Sequence, residues 1–81
     1  MKVEVVMPKL GLTMETGVIR EWLKKLGDRV EEGEVIAIVE SEKLTGEIKA
    51  PVAGILAEVL YEEGDEVPVG EVVAYLEVSE K

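Results

Sequence analysis

Gly17-Val18-Ile19-Arg20-Glu21-Trp22-Leu23-Lys24-Lys25-Leu26-Gly27-Asp28-Arg29-Val30 decides the fold, because it supports two readings. Val18, Trp22, Leu23, Leu26 and Val30 fall at helical spacing and could line one face of an amphipathic helix. A second stretch, beginning at Gly54-Ile55-Leu56 and running through Gly64-Asp65 to Val67, repeats the first at an offset of 37 residues and refuses the helix. There Glu63 answers Leu26 and Pro68 answers Glu31, so the apolar stripe is broken. Gly27/Gly64 and Gly33/Gly70 punctuate both copies. Two copies should share one fold, and the pattern common to both is strand, Gly-Asp turn, short strand, Gly-Glu turn, strand.

The match is eleven identities among the 24 positions from 17 to 40, with apolar pairs such as Val18/Ile55, Ile36/Val73 and Val39/Leu76 between them. Upstream, Pro8-x-x-Gly11 answers Pro51-x-x-Gly54 at a spacing of 43, so the first copy carries six extra residues within Gly11–Gly17. An insertion in one copy of a symmetric fold adds surface and is a candidate for recognition. The pattern predicts strands near 2 to 6, 18 to 23, 35 to 40, 45 to 49, 55 to 60 and 72 to 78, with short ones around Val30 and Val67. The expected fold is all-β: one domain over residues 1–81, a flattened β-barrel or sandwich of two interlocked four-stranded halves related by a pseudo-twofold. Ser41-Glu42-Lys43-Leu44 then forms a hairpin tip where the first copy ends. The second copy ends at Ser79-Glu80-Lys81, so the tip and the termini should sit at opposite ends.

Composition narrows the function. Hydrophobic residues make up 47% of the 81, with valine and isoleucine abundant, Phe absent and only Trp22, Tyr61 and Tyr75 aromatic, which suits strands. Without Cys or His, disulfides, thiol chemistry, the usual zinc sites and histidine-based catalysis are gone. Just two Asp and no Asp-x-Asp spacing leave no metal loop. A formal charge of −9 repels phosphate backbones and anionic membranes, so neither nucleic acid nor membrane is an expected partner. No bilayer-length apolar run and no signal-peptide pattern occur, and the missing cysteines suit a reducing compartment; the expected location is the cytoplasm.

Met7-Pro8-Lys9-Leu10-Gly11, Thr16 through Asp28, Glu40-Ser41-Glu42-Lys43 and Ala50-Pro51-Val52-Ala53-Gly54 together resemble the lipoyl domains of 2-oxo acid dehydrogenase complexes, within the wider biotinyl/lipoyl carrier group. The likeness covers nearly the whole chain. The family's modified lysine sits in a motif usually written Glu-Thr-Asp-Lys, which the resemblance places on Lys43, with Ser41 for the usual Thr and Glu42 for the usual Asp. Physically, an acceptor lysine must be reachable, because its amine titrates at about 10.4 and the modifying enzyme has to extract the proton. A hairpin tip offers that reach. The other six lysines lie in or beside strands, in the large loop or at the terminus.

The resemblance implies a non-enzymatic carrier in which lipoate, amide-linked to Lys43, forms a swinging arm. Its implied partners are a lipoate ligase or lipoyl transferase, a thiamine-diphosphate-dependent 2-oxo acid decarboxylase, a dihydrolipoyl acyltransferase core and dihydrolipoyl dehydrogenase, with the domain itself monomeric. The cofactor does the chemistry and the protein supplies display and a high local concentration. Expected recognition residues are Glu40, Ser41, Glu42 and Leu44 around the lysine, and Leu12, Thr13, Met14 and Glu15 in the insertion, which in lipoyl domains lies beside the hairpin. Glu40 has the weaker claim, since Glu77 matches it in a copy without a cofactor, and Trp22 is expected in the core. The nearest alternative is a biotin carboxyl carrier with biotin on Lys43. Its motif resembles Ala-Met-Lys-Met, whereas the neighbours here are Glu42 and Leu44.

Overall fold

A computed structural model describes residues 1–42 and 44–78. Its strands are β1 Lys2–Val6, β2 Thr16–Trp22, β3 Arg29–Val30, β4 Val35–Glu40, β5 Thr45–Lys49, β6 Gly54–Val59, β7 Glu66–Pro68 and β8 Val72–Glu77. Each falls where the repeated pattern places one. The largest displacement is the start of β2, two residues early, and it has a cause: Thr16, Gly17 and Val18 pair with Pro68, Val67 and Glu66. Thr16 and Gly17, assigned by sequence to the inserted loop, are strand.

The strands form two antiparallel four-stranded sheets, β1-β8-β6-β3 and β5-β4-β2-β7. The sheets stay separate, so of the two expected forms the sandwich is the one observed. Each sheet takes two strands from each copy, which interlocks the halves. The register obeys the sequence offsets throughout: Val18 faces Glu40 as Ile55 faces Glu77, and the break between Ile19 and Glu21 recurs between Leu56 and Glu58. Val35 opposite Lys49 is likewise matched by Val72 opposite Val6.

Between the sheets lie the equivalent pairs Ile19/Leu56, Val30/Val67, Ile36/Val73 and Val39/Leu76, all fully buried, with Met7 and Ala50 beside them. No polar side chain among the described residues is buried. Each such large aliphatic side chain contributes about 1.5–3 kcal/mol by leaving water, set against the chain entropy that ordering costs. The turns explain the Gly-Asp repeats. Gly27 and Gly64 hold φ of 91° and 93°, a region that penalises a Cβ. The following carboxylates then accept backbone N–H groups, Lys25 to Asp28 at 2.9 Å and Glu62 to Asp65 at 2.8 Å.

Trp22, expected in the core, packs against it from the side. It is half-buried at the edge of the core, its indole N–H donating to the Tyr61 carbonyl at 3.0 Å and its backbone N–H to the Glu63 carboxylate at 3.0 Å. Both acceptors belong to the other copy, so Trp22 ties the halves together.

The molecule measures 41 × 21 × 17 Å. Val5, Val6 and Pro8 share a small cleft with Ile48, Lys49 and Pro51, so the ends of β1 and β5 meet at the waist. From there each five-residue strand runs about 17 Å outward, β5 to the hairpin tip and β1 to Met1. The tip and the terminal end therefore lie at opposite ends of the long axis.

Candidate functional site

At the tip the Ser41 N–H donates to the Leu44 carbonyl at 2.7 Å, and the Ser41 hydroxyl contacts the same oxygen at 3.4 Å. Lys43, the expected attachment residue, lies outside the described residues, as do Ser79, Glu80 and Lys81. The symmetry supplies a counterpart for the backbone bond, the Val78 N–H donating to the Met1 carbonyl at 2.8 Å. The position crossed by continuous chain in the first copy is, in the second, the junction of Met1 with Val78.

The inserted loop folds on itself beside this tip. Met14 N–H closes a turn on the Gly11 carbonyl at 3.2 Å, Leu10 N–H points at the Met14 sulfur at 3.1 Å, and the Glu15 carbonyl accepts from Val69 N–H at 2.9 Å. Leu12 projects into solvent at 93% exposure, and Thr13 and Glu15 are also exposed. Leu10 and Met14 instead pack against the core. The expectation that the insertion adds only surface is thus corrected: a Cβ on Gly17 would lie 2.7 Å from the Met14 Cε, so Gly17 leaves the space that the Met14 thioether fills. Met14 anchors the loop, while Leu12, Thr13 and Glu15 form its outer face.

Loop and tip enclose an open groove of about 730 Å³, lined by Thr13, Met14 and Glu15 from the loop, the start of β2, and Glu40, Ser41, Glu42 and Leu44 from the hairpin. Seven of the eight expected recognition residues therefore line one concavity. The exception is Leu12, on the loop's crest. Sequence reading missed Glu66, which lines the groove from β7 and accepts a 2.7 Å hydrogen bond from the Thr16 hydroxyl. Its signal was the alignment of β7 with β3, which identifies the strand but not its neighbour across the sheet. Glu15, Glu40, Glu42 and Glu66 make the groove acidic, tempered by Arg20 at 3.7 Å from the Glu40 carboxylate. Among the described residues no cluster of His, Cys, Asp or Glu has the arrangement to hold a metal ion. The site presents a loop, a tip and charge, with the means for display and recognition.

Comparison with known proteins agrees. The sequence profile of the Biotin_lipoyl family, "Biotin-requiring enzyme", matches residues 3–76. Over 54 residues, 67% of this chain, it is 56% identical to the dihydrolipoyllysine-residue acetyltransferase component of the acetoin cleaving system of Bacillus subtilis. Over 50 residues, 62% of this chain, it is 48% identical to the acetyltransferase component of the pyruvate dehydrogenase complex of Rickettsia conorii. The matched segments span only 14% and 12% of those relatives. Among solved structures, the lipoyl domain of the 2-oxoglutarate dehydrogenase complex of Azotobacter vinelandii superposes with a TM-score of 0.72 at 28% identity, covering 94% of this chain and 99% of that domain. A part of Kluyveromyces lactis urea carboxylase superposes with a TM-score of 0.79 at 25% identity, covering 94% of this chain and 6% of that one. By its two interlocked sheets and by a profile match that takes in all eight strands but the first residue of β1 and the last of β8, the chain belongs to the Biotin_lipoyl family.

Proposed function

We propose that this domain carries lipoate in amide linkage on Lys43 and serves as a swinging arm. The arm takes an acyl group from a thiamine-diphosphate-dependent 2-oxo acid decarboxylase, delivers it at an acyltransferase core and is reoxidised by dihydrolipoyl dehydrogenase. The observation that carries this reading is the groove, which brings together an acidic hairpin tip and an asymmetric loop at the end of the molecule away from Met1. The dihydrolipoyllysine names of the relatives favour lipoate over biotin, as do Glu42 and Leu44 in place of methionines beside the lysine. The protein's share is display, partner identity and a high effective concentration of the arm at each active site.

Intact-mass measurement after incubation with a lipoate ligase and, separately, a biotin ligase tests the reading. One lipoyl increment per chain is expected, absent in Lys43→Gln, which should fold as the parent does. A biotin increment alone would move the domain to the carboxyl carriers, and efficient modification of Lys43→Gln would place the acceptor elsewhere.

A further inference from the structure

Two leucine–glycine contacts join the hairpin to the start of the inserted loop, where Leu10 leads into Gly11. Gly46 lies in β5 opposite Val39, and a Cβ there would collide with Leu10, whose Cδ2 is nearest and whose Cδ1 and Cγ follow at 2.8 and 3.1 Å. In the opposite direction a Cβ on Gly11 would lie 2.9 Å from the Leu44 Cδ1. Leu10, at the entry to the loop, thus rests on the backbone of the hairpin strand, and Leu44 of the hairpin rests on the backbone of the loop at Gly11. The second copy has no such arrangement: Val3 stands in the place of Gly46 and Ala53 in the aligned place of Leu10. A strand interior ordinarily disfavours glycine, and here a close approach explains it.

We propose that Leu10 and Gly46 are positioning residues that clamp the inserted loop to the hairpin, so that the loop holds the tip in the geometry the modifying enzyme reads. The contact acts through the ends of Leu44, next to the attachment position, and of Gly46, three residues beyond it. The role rests on the carrier reading above. The three nearest atoms that a Gly46 Cβ would meet all belong to the half-buried Leu10 side chain and none to backbone, so it is that side chain that must give.

Gly46→Ala should expel Leu10 and release the clamp. Leu10→Val with Gly46→Ala conserves the carbon count across the contact and should restore it. Two readouts follow on the full chain. With a lipoate ligase, Gly46→Ala is expected to raise KM for the protein at least about fivefold with kcat little changed, and the double variant to return near the parent value. In the unmodified protein, amide hydrogen exchange at Ser41, whose N–H is bonded across the tip, should quicken in Gly46→Ala and slow again in the double variant. Parent-like Ser41 exchange in Gly46→Ala overturns the clamp, as does loss of modification that the double variant fails to restore. If the ligase leaves the parent itself unmodified, it is the carrier reading that fails, and the exchange measurement still decides whether the clamp exists.

Discussion

The two copies of the repeat share their strand register, their bulges and their glycine turns, and they differ at one end. The first copy closes its end with a hairpin tip, flanks it with an inserted loop and lines the space between with carboxylates. Among the described residues the second has there the junction of Met1 with Val78, where the amino terminus pairs with Glu77 at 2.8 Å. What is repeated serves folding and what is not repeated is free to serve recognition. That division can be broken by experiment.

The largest effect is expected where the asymmetry is greatest. Replacing Leu12, Thr13 and Glu15 together by alanine removes the outer face of the loop but keeps Met14 in its place. Reductive acylation of the lipoylated domain by a cognate decarboxylase should slow about tenfold or more, the equivalent of about 1.4 kcal/mol in recognition. Glu58→Ala, exposed on the second copy, should leave the rate within about twofold. Equal rates for the loop variant and the parent would make the outer face mere surface.

A smaller, symmetric effect should follow from the shared turns. Gly27→Ala and Gly64→Ala each place a Cβ at a positive φ and should each cost about 1 kcal/mol or somewhat more, read as a lowered urea midpoint. A loss at one turn and none at its partner would break the equivalence of the halves.

The smallest effect concerns an ion pair of the first copy. Lys24 and Glu34 meet at 2.6 Å, where Tyr61 and Glu71 stand in the second copy. The Lys24 ammonium, hydrogen-bonded to Glu34, holds that carboxylate below its ordinary value near 4.5, and the same bond raises the lysine. A depressed folded value means stability that is present above about pH 4.5 and lost as pH falls through the lower folded value. Glu34→Gln should therefore flatten the acid side of the stability profile by a small amount, the pair being still in reach of solvent. Glu71→Gln is the matched control with no lysine to lose. An unchanged acid limb in Glu34→Gln would show the pair to be without weight in solution.

How much of this was legible depended on whether a residue had a counterpart to be compared with. Leu26 against Glu63 and Glu31 against Pro68 ruled out the helix, and Gly27-Asp28 against Gly64-Asp65 located the turns, because each turn's hydrogen bonds are local. Met14 has no counterpart, so nothing in the chain distinguished a side chain folded inward from one turned to solvent. Gly46 read as an ordinary strand residue, since the reason for it, Leu10, is distant in sequence and meets it only after β4 and β5 have paired. Trp22 was legible as apolar, but its hydrogen bond to the Tyr61 carbonyl depends on how the two copies cross. Glu66 entered the groove by sheet order, which periodicity does not encode.

The interlocking of the sheets also bears on the order of events as the chain emerges during synthesis. Within the domain β1 comes first and β8 last, and among the described residues β1 has β8 as its only ladder partner. Neither copy holds a complete sheet of its own, so a nascent first half has nowhere to bury Ile19, Ile36 and Val39 until β5 through β8 arrive. Long-range closure of this kind makes folding late and slow relative to a chain of local contacts. The domain becomes a domain all at once, and the pairing of β4 with β5 takes its final place only when the rest of the molecule does.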